Sequence, residues 1–188
     1  MRLSRVALAV VGSLVSLTAL MPSTLKAQDA FKNVPASKAP KIFVSIKGTK
    51  SGVFPGDALS GAHKTEIAAS SFSFELTSPT DPNTGFTAGK RQYKPLVFTH
   101  SIGAASALLF GAEATNETLT TVIFTVVKTV AGGKEENFYT VTLTNARITS
   151  LRQYTVDGDP MEEVSLSFQK IVIEVGGKTA MDSWNASM

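Results

Sequence analysis

Apolar and polar positions alternate with a period of two along most of this chain, as in strands with one buried face. Ile42, Val44 and Ile46 share one face of a first strand, Ile42–Lys47. Within the extended stretch Lys64–Thr77, Phe72, Phe74 and Leu76 alternate with Ser71, Ser73 and Glu75. Another strand spans Tyr93–Thr99. Leu119–Val130 and Asn137–Leu151 read as two more, joined by the Gly-rich hairpin connection Ala131-Gly132-Gly133-Lys134. Val164, Leu166 and Phe168 alternate next, and then the apolar set moves to Ile171, Ile173 and Val175. That change of parity near Gln169-Lys170 predicts a β-bulge or a change of buried face.

The period breaks once. Ser101–Thr115 is rich in Ala and Leu and has no β-branched residue between Ile102 and Thr115, which predicts a helix starting at Ser101 or near Gly103. Between the elements lie a loop over Gly48–Gly61 with four Gly and Pro55, a long polar loop over Ser78–Gly89, and a turn over Thr155–Pro160. Gln28–Lys41 has no apolar period and reads as a flexible leader; Gly176–Met188 reads as a tail with a lone Trp184. About six strands and one helix, with no βαβ rhythm, predict a mainly β fold whose antiparallel strands form a closed or nearly closed barrel. Its expected core is Phe72, Phe74, Leu76, Leu96, Phe98, Phe124, Val141, Leu143, Leu166 and Phe168.

The start of the chain changes the meaning of the charge. Met1–Ala27 begins with Arg2 and Arg5, continues through the apolar run Val6–Leu20, breaks at Pro22 and ends in Leu25-Lys26-Ala27. This is the three-part order of a secretory signal peptide, and the run is shorter than the roughly 20 residues of a membrane span. Export is therefore expected, to the periplasm or beyond the cell, with no stable membrane insertion. The 188-residue chain carries 18 basic and 15 acidic residues. Arg2, Arg5 and Lys26 account for three of the 18, and no acid precedes Gln28, so the remainder balances at 15 against 15. A neutral domain has no general attraction for a polyanion, which argues against nucleic acid as partner.

Candidate chemistry is sparse. Cys is absent and there are only two His, His63 and His100, in no metal-ligand spacing. Asp157-Gly158-Asp159 with Glu162 and Glu163 has too few oxygen ligands for a calcium loop. Gly132-Gly133-Lys134 is too short to cradle a phosphate, and no nucleophile elbow occurs. No catalytic residue, cofactor or metal is expected. Asn116-Glu117-Thr118 and Asn185-Ala186-Ser187 match the glycosylation sequon. The one basic cluster is Lys90-Arg91-Gln92-Tyr93-Lys94, too small for a nucleic-acid patch and suited to acidic residues of a neighbouring subunit. Glu135, Glu136, Glu162 and Glu163 are the clustered acids available to it.

The stretch Gly89-Lys90-Arg91-Gln92-Tyr93-Lys94-Pro95-Leu96-Val97-Phe98-Thr99 resembles the central signature of the Hcp family, the tube proteins of type VI secretion. Ordered blocks on either side resemble the same family: Ile42–Gly48, His63-Lys64 with Glu66-Ile67, Asn116–Leu119, Leu143–Ala146, Ile148–Tyr154, and Phe168–Ile171. The likeness spans 42–175. Tyr93, His100, Gly103 and Ala107 depart from the commonest family residues.

The resemblance implies a compact two-sheet antiparallel β-barrel with one flanking α-helix over 42–175, between the leader 28–41 and the tail 176–188. It implies no enzyme activity and no cofactor, but self-assembly into a homohexameric ring and stacked rings that carry effector proteins. Type VI spike and sheath components are the further partners it implies. By the same resemblance Phe86, Lys90, Arg91, Tyr93 and Lys94 belong to subunit or ring contacts. The signal peptide sets the chain apart from tube proteins that assemble in the cytoplasm, so an exported stand-alone relative is expected. The competing expectation is a monomeric exported β-barrel that binds a small ligand or an envelope component.

Overall fold

The computed structural model describes residues 41–59, 61–130 and 133–184. The segment read as a signal peptide, the leader before Lys41 and the last residues of the tail lie outside the described residues. The elements in order are β1 (Lys41–Gly48), β2 (Gly52–Val53), β3 (Ile67–Ser73), β4 (Leu76–Thr77), β5 (Gln92–Tyr93), β6 (Leu96–Ser101), α1 (Ser106–Ala114), β7 (Leu119–Thr129), β8 (Glu135–Val156), β9 (Asp159–Ser167), β10 (Lys170–Val175) and β11 (Lys178–Ser183).

Six strands run as hydrogen-bonded neighbours in the order β8-β7-β1-β3-β6-β9, and β9 pairs back with β8, so the sheet closes into an antiparallel barrel. Closure depends on β8, which is 22 residues long. Its first part pairs with β7 up to Ala146, and its second part pairs with β9 from Arg147. Asn145 sits between them with φ +50°, a left-handed conformation that Asn tolerates. The expected parity change falls beside this bend. β9 ends, the backbone N–H of Gln169 donates to Thr144 O at 3.2 Å, and Asn145 Nδ2 donates to Gln169 Oε1 at 3.0 Å. β10 then pairs with the first part of β8 instead. A strand break, not a bulge inside one strand, re-aims Ile171 into the core that Val164 and Leu166 already share.

The core is where alternation places it. Leu96, Phe98, Phe124, Val141, Leu143, Leu166 and Phe168 are buried, and Phe98 meets Phe124 edge-on at 5.5 Å between centroids. Phe72 and Phe74 are partly buried against this cluster. Leu76 is a correction: it is 48% exposed, because the chain leaves the barrel wall after Ser73 and β4 stands beyond the core. A smaller cluster of Phe43, Ala58 and Val127 lies apart from the main core, with the His63 ring stacked on Phe43 at 4.2 Å. The Gly48–Gly61 loop also contains β2, which pairs with the end of β1.

The helix is shorter than expected and begins at Ser106, after a turn in which Gly103 N–H donates to Ser106 Oγ at 3.1 Å. Ala105, Leu109 and Ala112 fall on one face by helical spacing and join the core. Its end is a Schellman motif: Asn116 N–H donates to Glu113 O, Glu117 N–H donates to Ala112 O, and Asn116 has φ +50°. The expected C-terminal tail is also corrected. Residues 178–183 form β11, joined to β10 by Gly176-Gly177, both at positive φ, as a two-residue hairpin turn requires.

Candidate functional site

The long polar stretch before the basic cluster is a hairpin arm. β4 pairs with β5 through Leu76↔Tyr93 and Thr77↔Gln92, and Thr80 bridges Thr87 further out. Ala88 N–H donates to Pro79 O at 2.8 Å and Asp81 N–H to Phe86 O at 2.9 Å. The tip is turned by Gly85 at φ +72° and by Asp81 Oδ1, which accepts from Asn83 N–H at 2.8 Å. This backbone ladder holds Phe86 at the tip with 77% of its surface exposed.

At the base of the arm the basic cluster divides. Arg91 makes a two-pronged contact with Asp182 of β11, from Nε and from a terminal guanidinium nitrogen. Tyr93 Oη donates to Asp182 Oδ2 at 2.8 Å, and its ring meets Phe168 at 5.2 Å and Trp184 at 6.0 Å, both edge-on. Burial, then the hydrogen bond to Asp182, pushes the Tyr93 hydroxyl up to about 12. The Arg91 guanidinium, with help from Tyr93 and the Ser183 N–H, holds the Asp182 carboxyl below its usual range despite partial burial. Lys94 pairs with Glu75 at 2.9 Å in the open, while Lys90 is exposed and has no ion-pair partner among the described residues.

Three of the four acids expected opposite these cations are engaged elsewhere within the chain. Glu135 pairs with Lys41 at 2.6 Å and Glu163 with Arg152 at 3.3 Å. Glu162 is fully buried beside His100, Nε2 to Oε2 2.9 Å, and accepts from Gln153 Nε2 at 2.7 Å. Burial raises the Glu162 carboxyl, but the contacts from His100, Gln153 and Ser106 outweigh it and leave the group below its usual range. The acid that meets Arg91 is Asp182, in the segment that the sequence reads as a tail.

In the sequence Glu117 stands in a sequon and in the family-like block Asn116–Leu119, with no role of its own. The Schellman turn at Asn116 directs it inward, where Oε1 accepts from Lys50 N–H at 2.6 Å and Ser51 N–H at 2.8 Å, and Oε2 from Ser51 Oγ at 2.7 Å. Burial raises this carboxyl too, yet the donors of Ser51 and Lys50 bring it below the ordinary value. His63 pairs with Glu66 at 2.9 Å. Asp157-Gly158 is the turn between β8 and β9, with φ of +52° and +92°. Among the described residues no three His, Asp or Glu side chains gather as metal ligands, and no helix is long and apolar enough to cross a membrane.

A closed barrel with a packed interior and an extended arm, with Arg91, Lys94, Glu135 and Glu163 each in an ion pair within the chain, has the features of a structural assembly protein. The comparisons give the family. A family model described as "Type VI secretion system effector, Hcp" matches residues 43–175. The "Major exported protein" of Pseudomonas aeruginosa is 31% identical over 163 residues, covering 77% of this chain and 95% of that one. A crystal structure of an Hcp protein superposes with a TM-score of 0.72 at 31% identity, covering 78% of this chain and all of the other. An Hcp1 protein from E. coli superposes with a TM-score of 0.73 at 26% identity, covering 78% of this chain and 99% of the other. The chain belongs to the type VI secretion system Hcp family, and with it to the structural, self-assembling tube proteins rather than to the enzymes.

Proposed function

We propose that this chain is an exported Hcp protein whose mature form, freed of 1–27, closes into homohexameric rings that stack and carry effector proteins. Spike and sheath components of type VI secretion are the partners of such a stack. The observation that carries the reading is the arm: a hydrogen-bonded hairpin that exposes Phe86 at its tip and Lys90 at its base. A monomer has little use for a large apolar side chain held out on a ladder, whereas a neighbouring copy supplies a surface for it. Cyclic symmetry lets one such heterologous contact close on itself. Phe86, Lys90 and Lys94 are the contact residues in this reading, and Arg91 and Tyr93 fix the base of the arm that presents them.

Native mass spectrometry of protein recovered from the periplasm and the medium tests both parts. The expected species is six copies of a chain lacking 1–27. A chain retaining Met1 overturns the export reading, and a monomer at every concentration favours the ligand-binding barrel instead.

A further inference from the structure

The sheet is left incomplete beside the turn between β10 and β11. β10 pairs with β8 from Lys170↔Thr144 to Val175↔Tyr139, and the chain then turns away at Gly176-Gly177. β8 extends past that last pair and stays attached to β7 through Val127↔Asn137 and Lys128↔Glu136. On the β10 side, no strand lies beside residues 136–138 among the described residues. The register shift between Val126 and Val127 leaves Phe138 as the extra residue of a bulge on β8. Its ring is 48% exposed and carries the Lys128 ammonium 4.9 Å from its centroid.

A cleft of about 330 Å³ occupies this gap, between Asn137 and Phe138 of β8 and the Gly176-Gly177 turn. Thr140, Glu174 and Thr179, directly opposite one another across β8, β10 and β11, line it too. Glu174 is the one charged residue of the lining; it is exposed and has no ion-pair partner among the described residues. The two glycines put no side chain between Glu174 and the open stretch of β8. Unpaired N–H and C=O groups along a strand edge accept an extended chain by backbone pairing, and nearby side chains set its sequence.

We propose that this cleft is a peptide site. An extended segment of a partner protein, bearing a lysine or arginine, adds to β8 beside 136–138, in line with β10, and sets its cation against Glu174. A residue three places beyond Glu174 on that line stands roughly 10 Å from it, within the joint reach of a lysine and a glutamate side chain. Phe138 gives the segment an apolar wall, and an acidic residue in place of the cation meets a like charge. One copy of the chain supplies the whole site, so it operates whether or not rings form.

Three capped octapeptides of alternating threonine and valine test it on the exported protein. The first carries lysine at its second position, the second carries glutamate there, and the third is the lysine peptide methylated on alternate backbone nitrogens. By fluorescence anisotropy the lysine peptide should bind roughly two- to tenfold tighter than the glutamate peptide. Glu174→Lys should reverse that order, and the methylated peptide should lose binding. Amide exchange should slow across 136–138 when the lysine peptide is bound and stay unchanged in β9. No binding up to about 1 mM, equal affinity for the two charges, an order that Glu174→Lys leaves unaltered, undiminished binding of the methylated peptide, or protection confined to another element overturns the proposal.

Discussion

One carboxylate can replace the hydrogen-bond partners that a turn lacks, and Glu117 does so for the turn after β1. Its two oxygens accept from Lys50, Ser51 N–H and Ser51 Oγ, and the side chain is 4% exposed. Glu117→Ala leaves those donors without protein partners and is expected to cost about 1–3 kcal/mol in urea melts. A neutral result would mean that water replaces the carboxylate fully. Gly48 is required beside it, since a Cβ there would come within 2.3 Å of Glu117 Oε1. Phe98→Ala, at a fully buried ring against Phe124, is expected to cost about 3–5 kcal/mol; a loss below about 1 kcal/mol would remove Phe98 from the core. The pH dependence follows from the carboxyls. Glu117, Glu162 and Asp182 all lie below their ordinary values in the folded chain. A lowered folded value stabilises above the ordinary carboxylate range and loses that stability as pH falls through it. Thermal melts should therefore shift downward from about pH 5 towards about pH 2, and a flat profile over that window contradicts the assignment.

Among the elements, the barrel strands were legible because one face of each packs inward, which prints a period of two. β11 was not, because its outward, mostly exposed Lys178-Thr179-Ala180-Met181 run buries nothing that alternates. The Gly176-Gly177 pair was the available signal for it, since two residues at positive φ between segments read as a hairpin turn. The Ser78–Gly89 stretch looked like a loop for a related reason: its ladder is made by backbone groups and an Asp81 turn, which leave no hydrophobic period. The resemblance proposes the contact residues, but Asp182, the partner that divides them, lies 91 positions from Arg91 and no local pattern joins the two. β11 hangs on β10 alone in the sheet, so its side-chain tie to the arm matters. Arg91→Ala is expected to raise amide exchange across Lys178–Ser183 and shift the emission of Trp184, the single Trp, to the red. Unchanged exchange and emission would show that the β10 ladder holds the strand unaided.

For the whole molecule, the pairing of Arg91 with Asp182 changes what charge reversal does to assembly. If Arg91 served only a contact between copies, Arg91→Glu would weaken association and leave the fold intact. In the folded chain it would set a carboxylate against Asp182 and beside the Tyr93 hydroxyl, so it should release β11 as well as disturb any contact. Lys90 is the cleaner probe. It is exposed at the base of the arm with no ion-pair partner among the described residues, and the chain beyond Ala27 has no net charge to repel its copies. Lys90→Glu should leave the melting temperature and Trp184 emission unchanged while weakening association, with the difference largest at low salt, where exposed charges are least screened. Sedimentation velocity over a concentration series reads this directly. Association of Lys90→Glu equal to that of the unmodified protein at low salt would remove the basic cluster from the contact and leave Phe86, tested by Phe86→Ser, as the group that makes it.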